Sequence, residues 1–330
     1  MDILFGSTAV IEETAHTSNT RGWFKTTLSF FIILLGGLFL SNIMLRGITY
    51  IPLYTNDEYV SLIMSGNYDQ DTLEALLTKI FGELPWLGAA ELIATICTIF
   101  VVIFFALKYD GRRIFSLGLV KKGFFKEYLA GLGIGFGMFT VVTAIIFLAG
   151  DATIIGFGNI SPLLLLYFIG FLIQGFSEEI LLRGYYFVTL ASKGNIALAI
   201  FISSTMFSFM HAGNNGINII GYMNIFLFGF FAALYFLRRG SIWGISAIHS
   251  IWNFAQANIF GFRVSGNALE CSIFNIKYTS TSPIFNGGNF GPEGGIAVTI
   301  VLFIGIIVLL FFKNKEVETP LNFKGEFFTA

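Results

Sequence analysis

Charge is scarce in this chain. Of its 330 residues only 12% are Asp, Glu, Lys or Arg, against roughly 25% in an ordinary soluble domain. Neither sign is in excess: 19 Lys and Arg face 20 Asp and Glu, for a net charge of −1. That excludes a strongly basic nucleic-acid binder, so no nucleic-acid partner is expected. There are two cysteines. Cys97 falls in an apolar run and Cys271 in a polar one, which gives neither a disulfide framework nor a zinc framework. The usual signatures of membrane and soluble enzymes are missing too. There is no His-Glu-x-x-His zinc motif. Gly175-Phe176-Ser177 does not continue into a Gly-x-Ser-x-Gly elbow. No Walker or dinucleotide loop appears, and no internal repeat.

What the chain has instead is apolar length. It is 55% hydrophobic, with a mean hydropathy of +0.78. Eight apolar runs approach the roughly 20 residues that a bilayer core demands of a helix. They cover approximately Thr26–Leu45, Trp86–Leu107, Glu127–Ala149, Ser161–Val188, Ile196–His211, Ile217–Leu237, Ser241–Phe260 and Gly295–Phe312. In lipid the backbone must satisfy its own hydrogen bonds, which runs of this kind do as helices. The fold class expected is therefore all-α, a polytopic transmembrane helical bundle of about eight spans. The N-terminus carries Glu12 and Glu13 and lacks a basic-then-apolar signal pattern, so the first run reads as a retained anchor. Gly131, Gly133, Gly135 and Gly137 in the third run are expected to let helices approach closely.

Lys and Arg set the expected topology. With both termini inside, the inner segments hold Arg21, Lys25, Lys108, Arg112, Arg113, Lys121, Lys122, Lys126, Lys193, Arg238, Arg239, Lys313, Lys315 and Lys324. The outer segments hold only Arg46, Lys79, Arg263 and Lys277. The expected localisation is the cell membrane, multi-pass, with both termini cytoplasmic. Two outer connections are long. In the first, Leu73, Leu76, Leu77, Ile80 and Phe81 recur at helical spacing and predict an amphipathic helix at the membrane surface. The second, 261–294, is rich in Asn, Gly and Ser and is expected to be irregular. The chain divides into residues 1–120 (tail, two spans and the first outer connection), a core at 121–313, and a tail at 314–330.

Ionisable residues inside spans are costly and so mark function. The fourth run contains Glu178, Glu179 and Arg183 in Phe-Ser-Glu-Glu-Ile-Leu-Leu-Arg-Gly. The fifth ends at His211, and the seventh carries His249 and Asn253. Neighbouring residues on a helix point about 100° apart. Glu179 and Arg183 are four residues apart and can pair, so Glu178 points elsewhere without a local cation. An unpaired carboxylate in a low-dielectric bundle suits a general base. His249 with Asn253, and Phe207 with His211, share faces in the same way. Taken singly, each has a plain structural explanation: a Glu–Arg pair that locks helices, or an imidazole that is a satisfied core donor. Their coincidence on three helices, in spans otherwise nearly free of ionisable groups, argues for a site. Glu91 in the second run sits near its outer end and reads as a carboxylate reaching the surface. Intramembrane Glu and His also build proton paths, so a transporter is the competing class.

These motifs resemble those of the CAAX-protease and bacteriocin-processing (CPBP) family of intramembrane proteases, which includes the type II CAAX prenyl proteases and the Abi-type proteins. The family pattern is Glu-Glu-x-x-x-Arg, Phe-x-x-x-His and His-x-x-x-Asn, one motif per helix. Here they are Glu178-Glu179…Arg183, Phe207…His211 and His249…Asn253, in that order. The likeness covers roughly residues 120–260, and 287–295 also resembles a loop of bacterial members. It implies an intramembrane endopeptidase acting on a membrane-associated, prenylated or leader-type peptide. Glu178 would activate water with His211, His249 and Asn253 would form the oxyanion hole, and Glu179, Arg183 and Phe207 would support them. No cofactor is favoured, because Asn253 is a poor zinc ligand. Zinc held by Glu178, His211 and His249 is the alternative, as is an immunity scaffold that no longer cuts. One count fits poorly. At about 1.5 Å per residue, Glu178 lies about 15 Å from the inner end of its helix, His249 about 12 Å and His211 about 24 Å.

Overall fold

The computed structural model describes residues 6–20, 22–279 and 284–312. The expected tail at 314–330 lies outside the described residues. The chain runs α1 (Ala9–Thr17), α2 (Trp23–Tyr54), α3 (Asp57–Ser65), α4 (Gln70–Gly82), α5 (Leu87–Ala94), α6 (Ile96–Phe104), α7 (Phe124–Leu148), β1 (Ala152–Phe157), α8 (Leu163–Glu179), α9 (Val188–Ala191), α10 (Ile196–Met210), α11 (Ile219–Arg239), α12 (Trp243–Phe254), β2 (Phe274–Tyr278) and α13 (Ile296–Phe311). It is an all-α bundle, and each of the eight apolar runs is helical. Five helices are long and apolar enough to cross a membrane: Trp23–Tyr54, Leu87–Tyr109, Phe124–Leu148, Leu163–Ala191 and Ile219–Arg239. Ile196–Met210 and Ile296–Phe311 are apolar but shorter. Large apolar side chains such as Leu35, Phe39, Phe100, Phe104, Leu148 and Phe311 stay exposed on the outside of the bundle, as lipid contact requires.

Two connections differ from their expected form. The amphipathic helix is present as α4, its first turn capped by the Asp69 carboxylate, which accepts from Thr72 N at 2.7 Å. Its apolar stripe is covered by Leu53 at the end of α2 and by Tyr59 and Leu62 of α3 rather than left open. The 261–294 connection is not wholly irregular. Phe274–Tyr278 pairs antiparallel with Ala152–Phe157. Phe-Asn-Ile-Lys-Tyr alternates in the strand period, a signal outweighed in composition by the surrounding Asn and Gly.

Helix α12 is the axis of the site, and small residues draw its neighbours onto it. A Cβ at Gly131 would run into the Gly244 carbonyl, and one at Gly135 into the Ile248 carbonyl. These two glycines press α7 against α12, whereas Gly133 and Gly137 face open space and contribute no approach. Gly175 does the same for α8, since a Cβ there would meet Ser250. The glutamates three and four residues further on are thereby delivered to α12.

At the end of the bundle where α1 sits, polar groups are buried in mutual contact. Arg112 (2% exposed) donates to Ser116 Oγ, Thr189 Oγ1 and the carbonyls of Ser116, Gly184 and Tyr185. Burial pulls its guanidinium down to about 10. Asp110 accepts from Ser18 Oγ and Thr20 N. The Ile114–Leu117 turn and α1 lie against α8's continuation and α9, and close that end.

Candidate active site

The fourth apolar run is one continuous helical path. After Glu179 it passes through a π-helical turn, Ile180–Phe187, into α9. Wide turns of this kind sit at functional places in helices. The extension to Ala191 resolves the depth count. Glu178 now lies roughly 20 Å from the inner end and His211 roughly 22 Å, at about 1.5 Å per residue. Helix α12 starts within the bundle, with Ser241 and Ile242 buried, which carries His249 to the same level.

The two adjacent glutamates have different surroundings. Glu179 is fully buried. Its Oε1 accepts from Arg183 Nη1 at 3.0 Å and from His249 Nδ1 at 2.9 Å. Arg183 also donates to the Gly229 carbonyl at 3.3 Å, and its guanidinium lies 4.7 Å from the centre of the Phe207 ring. Phe207 thus holds the cation from one side and stands edge-on to His211 and His249. Glu178 points into a cavity. Its Oε1 accepts from the Gln174 amide at 2.5 Å, and its Oε2 has no hydrogen-bond partner. His249 Nε2 is 3.8 Å from that Oε2.

The ring roles follow from these partners. His211 Nδ1 is 2.8 Å from the Phe207 carbonyl. A carbonyl only accepts, so Nδ1 carries the proton and Nε2 offers a lone pair to the cavity. On His249, Nδ1 donates to the Glu179 carboxylate, which leaves Nε2 facing Glu178. Asn253 uses one Nδ2 proton on Gln174 Oε1 at 3.1 Å; the second is available.

The cavity is about 320 Å³. It brings together Glu178, Phe207, His211, His249 and Asn253. Glu179 and Arg183 lie behind it. Its remaining walls are apolar (Leu92, Phe171, Ile225, Phe228, Trp252, Val298 and Leu302), with Asn214, Asn224, Ser265, Asn267 and Glu293 among its polar groups. Glu91 is exposed and does not line it. Among the described residues no group of three His, Cys, Asp or Glu could hold a metal ion.

Two members of the cavity were not singled out from sequence. Gln174 joins Glu178 to Asn253. It lies one helical turn before Glu178, and a polar residue on that face of an apolar run was the available signal. Glu293 accepts from Ser265 N at 2.5 Å and from Gln256 Nε2 at 3.3 Å. Burial pushes its carboxyl up. Only chain folding could bring it to the site, since about forty residues separate it from Asn253.

No curated protein and no solved structure matches the chain. The motif-bearing segment does have a match. Residues 160–255, which hold Gln174, Glu178, Glu179, Arg183, Phe207, His211, His249 and Asn253, match the family model described as type II CAAX prenyl endopeptidase Rce1-like, so this segment is similar to that family.

Proposed function

We propose that the protein is an intramembrane endopeptidase in which Glu178 activates water without a metal, acting on a membrane-associated peptide. The observation that carries this reading is the pair of unlike glutamates. Each leaves its buried Oε2 without a hydrogen bond, but Glu179 is enclosed with Arg183 and His249, whereas Glu178 lines a cavity and has no cation on its own helix face. A water between the Glu178 carboxylate and His211 Nε2, which line one cavity, meets two proton acceptors. Glu178 takes a proton as the oxygen attacks the scissile carbonyl. The carbonyl oxygen gains charge and is met by the free Nδ2–H of Asn253 and by the His249 ring, which Glu179 holds at Nδ1. When the C–N bond breaks, Glu178 returns its proton to the leaving amine. Glu179, Arg183 and Phe207 orient His249 and do not touch substrate. The catalytic core in this reading is residues 121–313.

The test is cleavage of a labelled peptide library by purified protein in detergent, comparing wild type with Glu178→Ala. Cleavage by wild type alone is expected. Equal cleavage by both proteins, or by neither, rejects the reading.

A further inference from the structure

The two ends of the bundle differ in access to Glu178, and this bears on where a substrate comes from. Rising from Glu178 and His249, the cavity wall passes Gln174 and Phe171, which precede Glu178 on α8, and Leu92 near the start of the second run. It ends at Asn214 after α10, Val264, Ser265 and Asn267 after α12, and Glu293 before α13. All of these belong to one end of the bundle. Asn267 is the one exposed residue of the lining, and Asn214, Ser265 and His211 are partly exposed beside it.

The opposite end is shut. Below Glu178 the path meets Glu179 and Arg183, then Ile180, Leu181, Leu182 and Tyr185, all at most 1% exposed. Beyond them the Arg112 network ties the 110–118 connection to Gly184, Tyr185 and Thr189. Lys193 adds a bond to the Thr20 carbonyl at 2.6 Å. The charges follow the same division. The shut end bears Arg112, Arg113, Lys121, Lys122, Lys126, Lys193, Arg238 and Arg239, whereas the open side bears only Arg46, Lys79, Arg263 and Lys277 among the described residues. Lys and Arg mark the cytoplasmic side.

Resting on the protease reading above, we propose that the site takes its substrate from the non-cytoplasmic side of the membrane. Its substrate class is a peptide segment that has already been translocated or is exposed at the outer leaflet, and not a cytosolic tail. The lining adds a chemical preference. It contains the carboxylates Glu178 and Glu293 and no Lys or Arg, so it favours a neutral or cationic segment over an acidic one.

Access can be measured without knowing the substrate. Single cysteines are placed in a Cys97→Ser, Cys271→Ser background at Asn253 (deep in the cavity), at Asn215 (exposed at the open end) and at Lys122 (exposed at the shut end). A small, charged, membrane-impermeant thiosulfonate is added to right-side-out and inside-out vesicles. Asn215→Cys and Asn253→Cys should react in right-side-out vesicles, and Lys122→Cys only in inside-out ones, with at least a tenfold difference in rate. Reaction of Asn253→Cys from the Lys122 side, or from neither side, overturns the proposal. So does labelling of Lys122→Cys from outside. None of these outcomes depends on cleavage, so the protease reading is judged separately by the detergent assay. Should the variant at Asn253 misfold, Ser265→Cys at the rim gives the same readout.

Discussion

Arg112 and Glu178 are both ionisable groups at the helical path Leu163–Ala191: Glu178 lies on it, and Arg112, from the 110–118 connection, packs against its Gly184–Thr189 stretch. Arg112 is surrounded by acceptors and touches no cavity. Glu178 lines the cavity and keeps one buried oxygen without a hydrogen bond. Burial alone therefore does not mark a functional charge. A satisfied charge ties elements together, whereas an incompletely satisfied one beside a cavity has capacity left for a ligand or a proton. Glu178 and Glu179 are divided by place and not by hydrogen-bond count, since each leaves Oε2 without a partner: Glu179 is closed in with Arg183 and His249, and Glu178 lines the cavity.

The sharpest way to break this comparison is to neutralise each glutamate in turn. Glu178→Gln removes the base but keeps the volume and the Gln174 contact. Turnover is expected to fall by about 10²–10⁴, with thermal stability in detergent unchanged. Glu179→Gln weakens the hold on both Arg183 and His249. Leaving a buried cation without its partner costs about 3–5 kcal/mol, so this variant should lose most of its stability. Thermal scans beside rate measurements check both. If Glu178→Gln is the less stable of the two, their roles are reversed.

A smaller effect separates metal-free from metal-assisted chemistry. Asn253→Ala removes one oxyanion donor and should slow turnover by about 10²–10³, while a strong chelator leaves the wild type unaffected. Loss of activity on chelation, restored by added zinc and joined to a near-normal Asn253→Ala rate, would contradict the glutamate mechanism. It would return Glu178, His211 and His249 to the position of ligands.

The helices were legible in the sequence because lipid leaves the backbone few choices, and each apolar run became a helix. The Glu179–Arg183 pair was legible because it is local, set by the four-residue helical spacing. The resemblance gave Glu179 a supporting role but not its bond to His249, since nothing in α8 alone indicates its packing against α12. The π-helical turn after Glu179 was not legible at all. It adds no distinctive residue, yet it helps explain why His211 and Glu178 lie at one depth. The short strand at Phe274–Tyr278 was hidden by Asn and Gly around it, although its own alternation was visible.

Gln174 gives the finest test of where the open regime begins. Its amide donates to Glu178 Oε1 at 2.5 Å, and its carbonyl oxygen accepts from Asn253 Nδ2 at 3.1 Å. It thus fixes the base and an oxyanion donor relative to each other. In Gln174→Leu both groups lose a partner but still face the cavity, where water can replace it. The loss is then that of oriented hydrogen bonds, about 0.5–1.5 kcal/mol, which corresponds to roughly a tenfold fall in kcat at most. KM and thermal stability should barely move, because no buried charge is left uncompensated. A loss as large as that of Glu178→Gln would mean that Gln174 touches the reacting atoms itself. A large fall in stability instead would place Gln174 with Glu179 and Arg183, and would move the boundary of the satisfied region one helical turn closer to the cavity mouth.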